Sequence, residues 1–199
     1  MLPREDILAP HTGRQFSGIF VRKSRTKTGN ERFYLYEEGS EDLILVAEEE
    51  SSYHFNISQS ALDMSPTSKF FLGVLYANKG TLTWKAADFQ SRAQVTITYL
   101  KASEREEGYR ELQVVIPPDL HLRQRHPRNI DGRYLIQFPT SIRGVKSEKN
   151  IIIDNLDGHF TIVFQKAAEK EHVLLITEPC SIFQGFCVAL STFRRFNKE

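Results

Sequence analysis

Cysteine is scarce in this chain. Only two occur among 199 residues, and they lie close together, at Cys180 and Cys187. If this segment is helical, residues seven apart are separated by two turns, about 10 Å, which is too far for a disulfide. The sequence therefore lacks the disulfide framework that small secreted proteins use. We interpret both thiols as small apolar side chains of the core.

The chain also lacks an excess of charge of either sign. Lys and Arg number 26 against 25 Asp and Glu, which gives a formal net charge of +1 at pH 7. A near-neutral chain has no general attraction for nucleic acid, so nucleic acid is not expected as a partner. Any binding of anions must come from a local patch of basic residues.

Long apolar runs are absent as well. Residues 1–15 are polar and charged and lack the apolar centre of a secretory signal. No stretch reaches the about 20 apolar residues of a membrane-spanning helix. We expect a cytoplasmic protein without a transmembrane segment. Peripheral attachment at the plasma membrane and a nuclear location both stay open.

Short catalytic and cofactor motifs are missing too. The six histidines are scattered and form no HxH or HExxH pattern, and no GxSxG, P-loop or GxGxxG sequence occurs. The runs of Glu and Asp have the character of solvated loops. We therefore expect no enzyme, no metal and no cofactor, although a catalytic pair assembled from distant strands would leave no sequence signal.

Near its C-terminus the chain has a segment without any charge, residues 179–193. Drawn as a helix, this segment has one broad apolar sector, and its opposite side carries small or uncharged polar residues. The apolar sector consists of Ile182, Phe183, Phe186, Cys187, Ala189, Leu190 and Phe193. A helix with no charge on any side is normally buried. We predict a helix that the rest of the protein encloses.

Most of the remaining chain has the pattern of short β-strands separated by turns. The predicted strands are 16–22, 32–36, 42–48, 70–76, 81–85, 94–100, 111–116, 134–138, 150–153, 160–164 and 173–176. Strands without intervening helices are typical of antiparallel sandwiches and barrels. Together with one hydrophobic helix they favour a closed antiparallel β-barrel around a central C-terminal helix, because closure removes exposed strand edges. We expect an N-terminal tail over 1–11 and a single domain over 12–199.

Several short motifs form an ordered series along the chain. The end carries FQKAAE at 164–169, Pro179, FQGF at 183–186 and LSTF at 190–193. Upstream, the motifs within 57–73, 108–117, 134–138 and 145–150 follow the same order. Together they resemble the tubby family over most of residues 12–199. The resemblance implies a mostly β fold, a barrel around a hydrophobic C-terminal helix.

The resemblance also implies a lipid site, from which this chain departs. Tubby-like domains bind phosphatidylinositol 4,5-bisphosphate through a lysine and an arginine on one strand, supported by an asparagine and a second arginine. In this chain Val74 occupies the position of the lysine, Tyr76 occupies that of the arginine, and His54 lies near that of the asparagine. Only the second arginine is retained, as Arg110. Each lost charge-assisted contact costs about 1.5–3 kcal/mol. The usual phosphoinositide site is therefore largely lost.

Two clusters of basic residues supply cations elsewhere. The first contains Arg22, Lys23, Arg25 and Lys27, and the second contains His121, Arg123, Arg125, His126 and Arg128. Each basic residue near an anionic membrane contributes about 1 kcal/mol of attraction. The other interpretation is that both clusters are solvated loops between strands.

The function expected from these observations is that of a non-enzymatic tubby-like binding or adaptor module. Its membrane association would be peripheral and weak, and its protein partners are not identified by the sequence. The alternative is a phosphoinositide-binding protein for membrane recruitment or trafficking. The candidate contacts to an anionic phospholipid head group are Arg110, His54, Lys23 and Arg25.

Overall fold

The computed structural model describes residues 2–13, 15–23, 30–100, 111–139 and 144–193. Two helices and fourteen strands occur in these ranges. The helices are α1 (Arg4–Leu8) and α2 (Ile182–Ser191). The strands are β1 (Phe16–Lys23), β2 (Arg32–Glu37), β3 (Leu43–Ser51), β4 (His54–Ser58), β5 (Phe71–Ala77), β6 (Thr83–Asp88), β7 (Ala93–Tyr99), β8 (Leu112–Ile116), β9 (Leu120–Gln124), β10 (Arg128–Ile130), β11 (Arg133–Leu135), β12 (Ile151–Asp154), β13 (Phe160–Lys166) and β14 (Glu171–Ile176).

Twelve of the described strands form one closed barrel. Their order around the barrel is β1, β14, β13, β12, β9, β8, β7, β6, β5, β4, β3 and β2, and each adjacent pair is antiparallel. The barrel closes because β1 pairs with β14 on one side and with β2 on the other. β10 and β11 form a separate two-stranded sheet. This arrangement confirms the predicted closed antiparallel barrel.

Alternating side chains on these strands fill the barrel. In β7, Val95, Ile97 and Tyr99 are buried while the residues between them are half-buried. This is the period of two that a barrel strand with one inward face requires. β12, β13 and β14 are instead buried on both faces, because Ile136 and Phe138 pack against their outer side.

The C-terminal helix is enclosed as predicted. All ten residues of α2 are buried. The helix begins after Ser181, whose hydroxyl accepts a hydrogen bond from the Gln184 N–H at 3.1 Å. The Gln184 side-chain oxygen accepts in turn from the Ser181 N–H at 2.8 Å, and its Nε2 donates to the Gln94 carbonyl at 3.0 Å. This capping box satisfies donors that would otherwise be buried without a partner.

The polar and small residues of α2 each have a structural role. Ser191 lies 2.8 Å from the Tyr99 hydroxyl and donates to the Val188 carbonyl at 2.7 Å. A side chain on Gly185 would come within 2.6 Å of Ile176 Cγ1, so glycine allows β14 to lie close to the helix. In the part of the chain that the structure describes, no helix is both long and apolar enough to span a membrane.

Both cysteines lie in this core. Cys180 and Cys187 are free and fully buried. Burial raises the pKa of the Cys180 thiol to about 12 and raises the pKa of Cys187 well above its ordinary value. The interpretation of both residues as apolar core side chains is confirmed.

The N-terminal segment covers the end of the barrel at which α2 begins. Ile7 of α1 is fully buried in the main core. The His11 N–H donates to the Cys180 carbonyl at 3.0 Å, and Gln59 Nε2 donates to the Leu2 carbonyl at 2.8 Å. The stretch expected as a tail over 1–11 thus contributes one side chain to the core. We call this side of the barrel the α1 end.

Three strands were not predicted, and one of them, β9, corrects an interpretation of charge. The second basic cluster, expected as a loop over 121–128, contains β9. Leu122 and Gln124 point inward and are buried, whereas His121 and Arg123 are exposed on the outer face. The outer face of a barrel strand is solvated, so basic residues at alternate positions are compatible with a strand there. The other missed strands are β4 and β10.

Candidate functional site

The four residues expected to contact lipid do not meet in one site. Lys23 is the last residue of β1, with its ammonium 4.5 Å from the Tyr34 ring centroid. His54 begins β4 and lies 3.5 Å from the Glu50 carboxylate. Strands β2 and β3 separate Lys23 from His54, a distance of about 14 Å at the usual strand spacing. Arg25 and Arg110 lie outside the described residues.

The strand that the tubby resemblance aligns with the lipid-binding pair is β5. Its Tyr76 lies opposite His54 on β4 and opposite Lys85 on β6. Val74 lies opposite Ala87. This part of the wall therefore has an exposed lysine, Lys85, that the sequence pattern did not single out.

Part of the second basic cluster is paired with carboxylates. Arg125 makes two hydrogen bonds to Asp154, from Nε at 2.7 Å and from Nη2 at 2.8 Å. His121 lies 2.9 Å from a carboxylate oxygen of Asp119. Cations that are paired in this way have little remaining attraction for an external anion.

A pocket with a positive lining lies at the barrel end opposite the α1 end, beside the last residue of the described chain. Its volume is about 350 Å³. Its lining residues are Arg22, Glu31, Ser147, Lys149, Lys166, Glu169, Lys170, His172 and Phe193. We call it the Phe193 pocket, and we call this side of the barrel the basic end. β1, β13 and β14 are adjacent and antiparallel, so the end of β1, the end of β13 and the start of β14 meet here.

The segment before β12 completes the pocket wall. The Val145 N–H donates to the Lys166 carbonyl at 2.8 Å. Asn150 accepts from the Lys166 N–H at 2.8 Å and donates to the Val145 carbonyl at 2.9 Å. These three bonds hold residues 145–150 along the end of β13. Ser147 and Lys149 thereby reach the pocket.

Two cations of the pocket face the ring of Phe193. The Arg22 guanidinium carbon lies 5.8 Å from the ring centroid and the Lys149 Nζ lies 5.5 Å from it. Both distances are within the range of cation–π attraction. Arg22 is also ion-paired with Glu31.

The other two cations of the pocket, Lys166 and Lys170, have no ion-pair partner among the described residues. Within the described residues, neither the Lys166 nor the Lys170 ammonium forms an ion pair or a hydrogen bond. Lys170 is exposed in the turn between β13 and β14, and Lys166 is half-buried. Both are therefore available to an anion that approaches this end of the barrel.

His172 forms the floor of the Phe193 pocket. It is 3% exposed and stacks on Phe164 with ring centroids 4.6 Å apart and an interplanar angle of 5°. The Phe193 ring covers it edge-on at 5.4 Å. Within the part of the chain that is described, neither ring nitrogen has a hydrogen-bond partner. A buried polar group without a partner is costly and normally has a specific reason.

The surroundings of His172 keep its imidazole neutral. Burial, followed by the positive charges of Lys149, Lys166 and Arg22, lowers its pKa from 6.5 to about 4. Desolvation and nearby like charge both disfavour the protonated ring. The folded protein therefore binds fewer protons at this site than the unfolded chain does between these two pH values.

The depressed pKa of His172 predicts a loss of stability in acid. Because the unfolded chain binds the proton more readily, the stabilisation present above pH 6.5 is lost as the pH falls towards about 4. Relative to His172→Phe, which keeps the stacked ring but cannot titrate, the wild type should lose up to about 3 kcal/mol of unfolding free energy over this range. Urea unfolding of both proteins at several pH values measures the difference. Parallel pH profiles would contradict it.

The sequence did not identify this pocket. Its residues come from β1, from the segment 145–150, from β13 and β14 and from the end of the chain, so no local spacing unites them. One residue that could have pointed to the pocket from the sequence is Lys166, a charged residue at the end of an apolar strand pattern. Its direct partner across the ladder is His172.

The pocket presents cations, a partly covered aromatic ring and a neutral buried imidazole, which is chemistry suited to binding an anion. No group of three or more His, Cys, Asp or Glu side chains in the described residues is placed to hold a metal ion. In comparisons with known proteins, no family model and no curated protein matches the chain.

Proposed function

We propose that this protein is a non-enzymatic, tubby-like binding module whose basic end associates weakly with anionic membrane surfaces. The observation that carries the proposal is the pair of unpartnered ammonium groups, Lys166 and Lys170, beside Arg22 and Lys149 at one end of the barrel. The barrel around a buried C-terminal helix has the architecture that the tubby resemblance implies.

The charge balance at this end supports weak rather than strong attachment. Four cations line the pocket, and three carboxylates oppose them: Glu31 and Glu169 in the lining, and Glu148, which lies 3.5 Å from Lys149. Each uncompensated basic residue near an anionic surface contributes about 1 kcal/mol. At physiological ionic strength, salt largely screens this attraction at distances beyond about 8 Å. Attachment would therefore be reversible and sensitive to salt.

The arrangement of potential nucleophiles favours binding over catalysis. Both thiols are buried with raised pKa values, which disfavours the reactive thiolate. Ser147 and His172 share the Phe193 pocket, but no hydrogen bond joins them. An activated serine requires such a contact with its base.

Charge reversal at the basic end should weaken membrane binding. Lys170→Glu removes one attraction and adds a repulsion, so the affinity for phosphatidylserine-rich vesicles should fall about 30-fold. The matched control is Lys69→Glu, which makes the same change on an exposed lysine near α1 at the other end of the barrel. Vesicle sedimentation at about 0.15 M salt measures both variants against wild type.

Two results would contradict this proposal. The first is that the wild-type protein does not sediment with anionic vesicles. In that case the protein would be a binding module for partners other than membranes. The second is equal loss in Lys170→Glu and Lys69→Glu, which would mean that total charge and not the basic end governs attachment. Binding that requires phosphatidylinositol 4,5-bisphosphate and is abolished by Arg110→Ala would favour the phosphoinositide reader instead.

A further inference from the structure

The Phe193 pocket has features that attraction to a flat surface does not explain. A surface needs exposed cations only, whereas this pocket is a concavity of about 350 Å³ with an aromatic side chain and a buried histidine in its wall. That volume lies in the range of small-ligand sites. It is also larger than an inorganic anion requires.

The cations of the pocket converge from separate segments. Arg22 is the second-last residue of β1, Lys149 precedes β12, Lys166 ends β13 and Lys170 lies in the following turn. Like charges repel, so bringing four of them around one cavity costs free energy unless an anion offsets it. Within the described residues, Glu31 pairs with Arg22 and Glu148 lies 3.5 Å from Lys149, while Lys166 and Lys170 have no counter-ion.

His172 is the second, independent sign of a ligand. Its ring is buried in the pocket wall, and both nitrogens lack partners among the described residues. A leucine or phenylalanine at this position would pack against Phe20, Phe164 and Phe193 without that cost. A polar ring beneath a cluster of cations is suited to a site whose occupant carries negative charge.

We propose that the Phe193 pocket binds a phosphate monoester, with its phosphate held by Lys166, Lys170 and Lys149 and its organic part against the Phe193 ring. The inference rests on the proposed function in one respect, since the same basic end would carry both activities. Lysine ammonium groups bind phosphate as compact point charges, and an arginine can add a bidentate contact. A monoester carries more charge than the diester of an ordinary phospholipid, which suits a site with several cations.

His172 provides a readout that reports on the pocket and not on the outer surface. Lys149, Lys166 and Arg22 lower the pKa of its imidazole, so an anion that offsets them should raise that pKa. The other charged groups in the pocket wall are Glu31, Glu169 and Lys170. The ring is otherwise surrounded by Phe20, Phe164 and Phe193, which do not titrate.

The test is a titration of the full chain with inorganic phosphate and then with glycerol 3-phosphate, followed by NMR of the His172 ring at constant ionic strength. The His172 signal is assigned by its loss in His172→Phe. We expect a saturable shift and an increase in the pKa of His172. In Lys166→Met/Lys170→Met the affinity should fall about tenfold or more. Lys69→Met should behave as the wild type.

Vesicles distinguish a soluble ligand from a lipid. Phosphatidic acid presents the same monoester as glycerol 3-phosphate, and phosphatidylserine presents only a diester. Sedimentation with phosphatidic acid that glycerol 3-phosphate reverses would identify a lipid ligand. Saturable binding of glycerol 3-phosphate without sedimentation would identify a soluble one and would count against membrane attachment.

The assignment of the pocket would be overturned by an absent shift, or by a shift that does not saturate and is equal in Lys166→Met/Lys170→Met. If phosphatidylserine vesicles still sediment the protein in that case, the proposed function survives and the pocket assignment does not. The two ideas therefore fail on different measurements.

Discussion

Phe186→Asp is expected to leave no stable barrel. Phe186 is fully buried at the middle of α2, with its ring 5.5 Å from that of Phe20. The substitution replaces an aromatic ring in the centre of the core with a carboxylate that has no cationic partner there. Burial of an unpaired charge costs more than the about 5–15 kcal/mol by which domains are usually stable. Circular dichroism and thermal melting should show an unfolded or aggregated product.

Two further variants show whether burial is the cause of that loss. Phe186→Leu keeps an apolar side chain and should retain the fold at a cost of about 1–3 kcal/mol. Leu156→Asp introduces the same carboxylate at a residue that is 73% exposed and should change the stability by less than about 0.5 kcal/mol. A near-native melting temperature for Phe186→Asp would contradict the enclosed helix.

Gly73→Ala should be the second most damaging change, at about 3–5 kcal/mol. Gly73 has a φ of +154°, which side chains rarely adopt. A Cβ there would overlap the Ala87 carbonyl oxygen and lie 2.9 Å from the Asp88 Cα and 3.0 Å from Phe183 Cζ. The backbone of β6 cannot move away from the added Cβ without disturbing its hydrogen bonds to β5. Urea unfolding measures the loss.

Gly80→Ala is a control that distinguishes the cost of an unfavourable φ from the cost of a steric clash. Gly80 has a φ of +82° but no atom within 4 Å of the added Cβ, so it should lose only about 1–2 kcal/mol. A similar loss in both variants would show that the close approach of β6 to Gly73 has no energetic importance. A much larger loss for Gly73→Ala would show that the close packing of β6 and Phe183 around Gly73 contributes to stability.

The enclosed helix and most of the wall could be predicted because their signals are local. Residues 179–193 have no charge, and a helix of that composition has no face suited to water. Strand β7 shows alternation within seven residues. Closure followed from the number of strands and the need to remove edges. The tubby resemblance agrees with this architecture and stays a proposal about ancestry.

Two of the missed strands, β9 and β4, have a common physical explanation. β9 alternates leucine with charged residues on its solvated face, which gives the composition of a loop. β4 is five residues long and begins with His54, so little hydrophobic pattern marks it. Both strands are held mainly by their ladder partners, and those partners lie elsewhere in the chain.

The candidate site was the least accessible to prediction from the sequence. Lys23 and His54 were selected from motifs, and the fold places two strands between them. Lys149 and Lys166 lie in motifs that were used only for the family resemblance, and Lys170 lies in none. Their proximity depends on how β1, β13 and the segment 145–150 are joined.

The amino-acid sequence was sufficient to establish a β-rich barrel and a buried C-terminal helix, because apolar periodicity and missing charge act over a few neighbouring residues. The pairing of β1 with β14 places Arg22, Lys166 and His172 at one end of the barrel. That placement depends on contacts between residues about 150 positions apart in the chain, for which no local pattern exists. The neutral state of His172 has in part the same origin, since Arg22, which helps to lower its pKa, comes from β1.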